Sequence, residues 1–339
     1  MTIAPMKMQV LYERLSQIGF NKKFIQDKIL PDWWESSCEN TPGAVAEVAA
    51  YISRRLNLEL DSLLDKNSQP RFKNICQPKF KKQNNTNSNE LTVAYYLASR
   101  IAELTAYACP TEYQAIDRLS LTEIRNFIFQ KRKYVDLAGV LIFCWSRGIP
   151  VIYFTEFPKK VKKFNGMVAS VANRPVIIIS LKEKSPSRLL FVIAHELGHI
   201  YKEHINNKVL IDEKVEPDSI DNEEIQANEF AKELIFGNSD VDYSTSHNLD
   251  TKRLVTYCKN VSNRDLVDPG AVAWNYGWHK EHWGAVREAI KIIEDKDTDN
   301  YYKINNYLQN NLNWSKLNDD NQDYLALMTG LEIENIIGV

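Results

Sequence analysis

The chain of 339 residues has no excess of either charge: 42 Lys and Arg stand against 44 Asp and Glu, a formal net charge of −2. That balance does not support a surface built to coat nucleic acid, although a local basic patch is compatible with it. The five cysteines, Cys38, Cys76, Cys109, Cys144 and Cys258, are odd in number, scattered, and never in a CxxC pair. Neither a disulfide framework nor a Cys-ligated zinc follows, and reduced structural thiols are expected. No apolar run approaches the ~18 residues of a membrane span, and the opening MTIAPMKMQVLYERL lacks the apolar stretch of a secretory signal. Internal repeats are missing too. What is present is an ordinary globular composition, 44% hydrophobic and 25% charged, sufficient for a real core. The expectation is a cytoplasmic protein of about two domains that does not enter a membrane.

Hydrophobic periodicity divides the chain. Residues 1–65 read as a small helical unit, with helices over MQVLYERLSQIGF, over 22–30, and over 42–56 after a Thr41 cap. Trp33 and Trp34 would plug these helices together. Residues 66–90 dissolve into a polar stretch with six basic residues and one acid, the best linker in the chain. A larger unit follows over 91–295, and a C-terminal extension over 296–339. Within the larger unit, helices are expected over 91–107, 110–130 and 135–147, and strands over 149–154, 166–172 and 175–180. Further helices should span 187–204, 221–236 and 271–293, with 206–222 as a loop. A last short helix is expected near 324–337.

The chemistry concentrates in HELGH at 195–199. Two histidines at i and i+4 lie one turn apart on the same helix face, so His195 and His199 can reach one metal ion. Glu196 is turned away from ligation but is close enough to take a proton from a water at the metal and pass it to a leaving amine. A catalytic zinc wants a third protein ligand, and no HxxGxxH follows. The chain offers EEIQANEFA at 223–231 instead. Glu224 on a second helix would complete a site of two His and one Glu. Asn228, one turn on, would hydrogen-bond a ligand histidine. Glu223 is the reserve ligand, and Glu229 should face solvent.

FNGMVASVANRPVIIISLKEKSPSRLLFVIAHELGHI (164–200) followed by EEIQANEFAKELI (223–235) closely resembles the ImmA/IrrE family of zinc metallopeptidases. The family's pattern falls on Gly166, Val176–Ile179, Arg188, Ala194–His199 and Glu224–Ala231, and LVDPGAVAW (266–274) is similar to its segment after the catalytic motif. The resemblance covers about 110–290. It implies an α+β zincin, gluzincin-like fold with a small sheet and active-site helices, behind a small all-helical N-terminal domain. It also implies one zinc ion per chain on His195, His199 and Glu224, with Glu196 as catalytic acid and base. The implied partner is a protein substrate, a helix-turn-helix repressor, in the transcription regulation of stress-response or mobile-element genes. A rival reading is a toxin–antitoxin or phage-defence component, acting on an antitoxin, whose protease is latent until a partner arrives.

Residues 10–64 are weakly similar to the helix-turn-helix module of many family members. With seven basic and nine acidic residues in 1–65, however, that segment is poor at phosphate contacts, and protein docking is the better expectation. The alternative function is a DNA- or repressor-binding regulator whose protease is latent or inactive. The cluster WNYGWHKEHW (274–283) reads as aromatic core with histidine edges rather than a second metal site. His204 should lie outside the metal's immediate ligands. Tyr201, His204 and Tyr243 are the candidates for stabilising an oxyanion.

Overall fold

A computed structural model describes residues 6–73, 78–81, 91–205, 209–212, 221–294 and 300–332. The N-terminal helices are α1 (Met8–Gln17), α2 (Lys22–Phe24, running on as one π-helical turn to Ile29), α3 (Pro42–Arg55) and α4 (Leu60–Leu64). α1 buries Met8, Leu11 and Leu15 on one stripe, as its periodicity predicts. Pro42 opens α3, but Thr41 caps it without a side-chain hydrogen bond. Buried Arg14 donates to the carbonyls of Leu63, Ser62 and Ser68 at 2.9, 2.6 and 2.7 Å, placing a cation at the negative end of α4. Trp34 packs against the apolar cluster of these helices, whereas Trp33 is 46% exposed, so only one of the pair acts as a plug.

Among the described residues, five strands form one sheet in the order β1-β5-β3-β4-β2: β1 (Pro78–Lys81), β2 (Val151–Tyr153), β3 (Gly166–Val171), β4 (Arg174–Ile179) and β5 (Val209–Asp212). β3 and β4 form an antiparallel hairpin turning at Ala172 and Asn173, both left-handed at φ 48° and 65°, as a two-residue hairpin turn requires. β1 lies within the stretch that composition marks as linker, and β5 within the stretch that reads as loop. Each is four residues long, too short for alternation to show.

The sheet separates two cores. Ile152, Met167, Ala169 and Ile178 face the N-terminal helices and α5 (Thr92–Ala108), whereas Val151, Val168, Ile177 and Ile179 face the other way. Burial on both faces explains the unbroken apolar run of β4. The second core is built by α6 (Leu121–Phe129), α7 (Leu137–Ser146), α8 (Pro186–Tyr201), α9 (Asn222–Phe236), α10 (Thr251–Asp265), α11 (Pro269–Lys280) and α12 (Trp283–Ile293). The helix predicted over 110–130 begins only at Leu121, where Ser120 and Glu123 form a capping box. The helix predicted over 271–293 is two, broken where Glu281 turns left-handed at φ 52°. α10 has no counterpart among the expected elements. α13 (Asn300–Asn311) and α14 (Asp319–Thr329) complete the fold, and Arg55 pairs with Asp320 of α14 at 2.8 Å. Residues 333–337 of the predicted last helix lie outside the described residues. No described helix is long and apolar enough to cross a membrane.

Asp268 caps α11 by accepting the Ala271 N–H at 2.9 Å. Burial pushes its carboxyl from 3.8 up to about 7, against the Ala271 hydrogen bond and with help from the nearby Glu294 charge. A carboxyl whose pKa rises on folding binds its proton more tightly in the folded state. Its stabilising contribution is therefore complete below about pH 4 and lost as pH rises toward 7. Asp268→Asn keeps the acceptor and cannot ionise. It should be more stable than the wild type at pH 8, by on the order of 1–2 kcal/mol, with no difference at pH 4. Thermal melts at the two pH values check this, and a variant less stable at both would contradict it.

Candidate metal centre

α8 is anchored before it reaches the site. Pro186 occupies its first turn, and Ser185 accepts the Arg188 N–H. The Glu294 carboxylate sits at the same end, accepting from the Ser185 hydroxyl at 2.9 Å, the Ser187 N–H at 3.3 Å and the Ser187 hydroxyl. A negative charge there suits the helix dipole. Leu189, Leu190, Val192, Ile193, Ala194 and Leu197 are fully buried, so α8 is held on most of its circumference. His195, Glu196 and His199 are themselves 0% exposed.

α9 starts at Asp221, which accepts the Glu223 N–H at 2.9 Å, and ends at left-handed Gly237, φ 83°. It meets α8 backbone to backbone. A Cβ on Gly198 would lie 3.0 Å from both the Cα and the carbonyl oxygen of Ala227. This close approach brings Glu224 within reach of both imidazoles.

His195 Nε2 lies 3.3 Å from Glu224 Oε2, His199 Nε2 lies 3.4 Å from Glu224 Oε1, and the two Nε2 atoms are 3.0 Å apart. A tetrahedral zinc with bonds of about 2.0–2.1 Å places neighbouring donors about 3.3 Å apart. The observed separations bracket that edge, so this donor set can hold a divalent metal such as zinc. Among the described residues it is the group of His, Cys, Asp and Glu side chains that meets this condition. The outward nitrogens are occupied as well: His195 Nδ1 is 3.0 Å from Asn228 Oδ1, and His199 Nδ1 is 2.9 Å from His204 Nδ1. Of the other acids on α9, Glu223 is outside the cluster and Glu229 is exposed.

Glu196 is fitted against the first residue of β3. A Cβ on Gly166 would fall 1.8 Å from Glu196 Oε1. Only glycine leaves room for the carboxylate there.

The oxyanion candidates fare differently from expectation. Tyr201 donates its hydroxyl to the Leu119 carbonyl at 2.8 Å and is committed to structure, whereas Tyr243 is buried near the Asp265 carboxylate. His204 is tied to His199 and to Gln226 Oε1, 2.9 Å from its Nε2. Nothing in the sequence marks Gln226, because only the fold places it beside His204. In the 274–283 cluster, Trp283 packs on Gly277 and His279 Nδ1 lies 3.8 Å from Asp242, with no metal group among these residues. Trp278 is 37% exposed and, with Phe191, Ile235 and Trp274, lines a cavity between α8, α9 and α11. The Arg188 guanidinium sits over Phe191, Trp274 and Trp278 at 5.6, 5.7 and 5.8 Å.

A buried HExxH helix closed by a glutamate from a neighbouring helix defines a zincin-type metallopeptidase. Residues 146–264 match the family model Peptidase_M78, the IrrE N-terminal-like domain, so this segment is an IrrE/ImmA-like domain that holds the His195, His199 and Glu224 cluster. That match runs from the end of α7 to the end of α10 and contains both halves of the metal cluster. No curated protein matches the chain.

Proposed function

We propose that the protein is a zinc-dependent endopeptidase that cleaves a regulatory protein, a helix-turn-helix repressor or an antitoxin, inside the cell. The convergence of His195, His199 and Glu224 at tetrahedral separations carries this reading. These three residues would hold one zinc ion per chain, which when bound supplies Lewis acidity toward a scissile carbonyl and toward water. Asn228 accepts the Nδ1 proton of His195, which would leave the Nε2 lone pair available to hold the metal. Glu196, on the same helix but outside the donor set, takes the proton from the attacking water and returns it to the leaving amine. Phe191, which lines the cavity, stands one turn before His195 on α8, so the cavity is the nearby apolar recess that could receive a side chain of the same bound substrate.

The substrate class rests on the domain match and on the charge of the N-terminal helices, whose acidic excess suits docking to a protein better than to phosphates. Elemental analysis of the purified protein should find about one zinc per chain. Glu224→Ala removes one of three protein ligands and should weaken binding by at least ~100-fold. Equal metal content in the variant would show that Glu224 is not a ligand. Absence of zinc in both, after it is supplied, would leave the regulator without protease activity as the better reading.

A further inference from the structure

The helical hydrogen bonding of α8 ends at Tyr201, and Glu203 then turns left-handed at φ 55°. In a continued helix, His204 would sit about 140° round from His199 and face elsewhere. The turn folds it back: its N–H donates to the His199 carbonyl at 3.0 Å, and its ring meets the His199 ring at 5.1 Å between centroids. The two Nδ1 atoms are 2.9 Å apart, and His204 Nε2 is 2.9 Å from Gln226 Oε1.

The direction of the protons follows from the end of this chain. An amide oxygen only accepts, so His204 Nε2 carries a hydrogen. In a neutral imidazole the other nitrogen is then an acceptor, and the proton between the rings belongs to His199 Nδ1. That leaves His199 Nε2 without a proton on the side facing Glu224 and His195. Within α9 alone, Glu224 meets both ligand histidines, Asn228 orients His195, and Gln226 orients His199 through His204.

We infer that His204 is a positioning residue for the metal centre. Held by Gln226, it accepts the Nδ1 proton of His199 and so fixes the tautomer and ring orientation in which His199 binds a metal. The inference rests on the metal site proposed above.

The test is zinc affinity, measured by chelator competition, for the full-length wild type, His204→Phe, His204→Asn and Gln226→Met. Losing an outer hydrogen-bond partner typically weakens metal binding by 10–100-fold, which is expected for His204→Phe. An asparagine amide also presents one acceptor and one donor, so His204→Asn should recover most of the affinity; Gln226→Met should lose several-fold. Affinity within about twofold of wild type in His204→Phe, or no recovery in His204→Asn, would overturn the inference. A ¹⁵N histidine spectrum of the zinc-free wild type, with His199 assigned by substitution, gives a second reading should His204→Phe not fold. The Nδ1–H tautomer of His199 is expected, and an Nε2–H tautomer would overturn the inference. Wild-type protein that binds no zinc removes the metal site and this inference together, whereas undiminished binding in the variants removes this inference alone.

Discussion

Glu196→Gln is expected to keep its zinc and to lower hydrolysis by about 10²–10⁴-fold. The two halves of that expectation have separate physical grounds. Glutamine has nearly the volume of glutamate, so the fully buried position stays filled, and the three metal donors lie on other residues. The amide cannot accept a proton from water at neutral pH, so the step assigned to Glu196 fails while substrate binding survives. The inactive protein should therefore retain an intact substrate during purification, and mass spectrometry of what co-purifies would identify it. Cleavage at the wild-type rate by this variant, measured on the substrate so captured or on a candidate repressor, would move the general base elsewhere.

The site was legible in the sequence because both of its halves are local. HELGH sets two imidazoles one turn apart within a single helix, and the Glu224 to Asn228 spacing sets a donor and a hydrogen-bonding partner one turn apart within another. The apolar residues around HELGH and the Gly237 stop define those two helices without any tertiary contact. What stayed hidden depends on contacts between distant segments. β5 and β1 are four residues each, with pairing partners at 166–169 and 209–212, so no period exists to read. The return of His204 onto His199 follows from one left-handed residue, Glu203, of a type that rarely adopts that conformation. Tyr201 was a chemically reasonable oxyanion donor until the fold placed the Leu119 carbonyl beside it. The break at Glu281 does not show in the sequence because Trp, Tyr and His at 274–283 continue a helical periodicity across it.

Gly166→Ala should lower hydrolysis nearly as far as Glu196→Gln does, although residue 166 carries no chemistry of its own. A methyl group there would lie 1.8 Å from Glu196 Oε1, 2.5 Å from its Cδ and 2.9 Å from its Cγ, so the conflict is with the whole end of the side chain. Neither backbone can retreat. Gly166 is paired in register with Ile179 on one side and Asp212 on the other, and α8 is buried around Glu196. The carboxylate must leave its position, and the strain of overpacking should cost about 1–3 kcal/mol of stability. Zinc content should remain near one per chain, because the substitution does not touch the donors. Two residues acting through one carboxylate should be non-additive: Gly166→Ala placed on Glu196→Gln should lower activity little further. Glu196→Asp, one methylene shorter, should suffer less from Gly166→Ala than the wild-type glutamate does. Rates, zinc content and melting curves of these single and double variants check each part. A Gly166→Ala protein active to within a few-fold of the wild type would mean that Glu196 can work from a second position, and the close fit at β3 would then be packing alone.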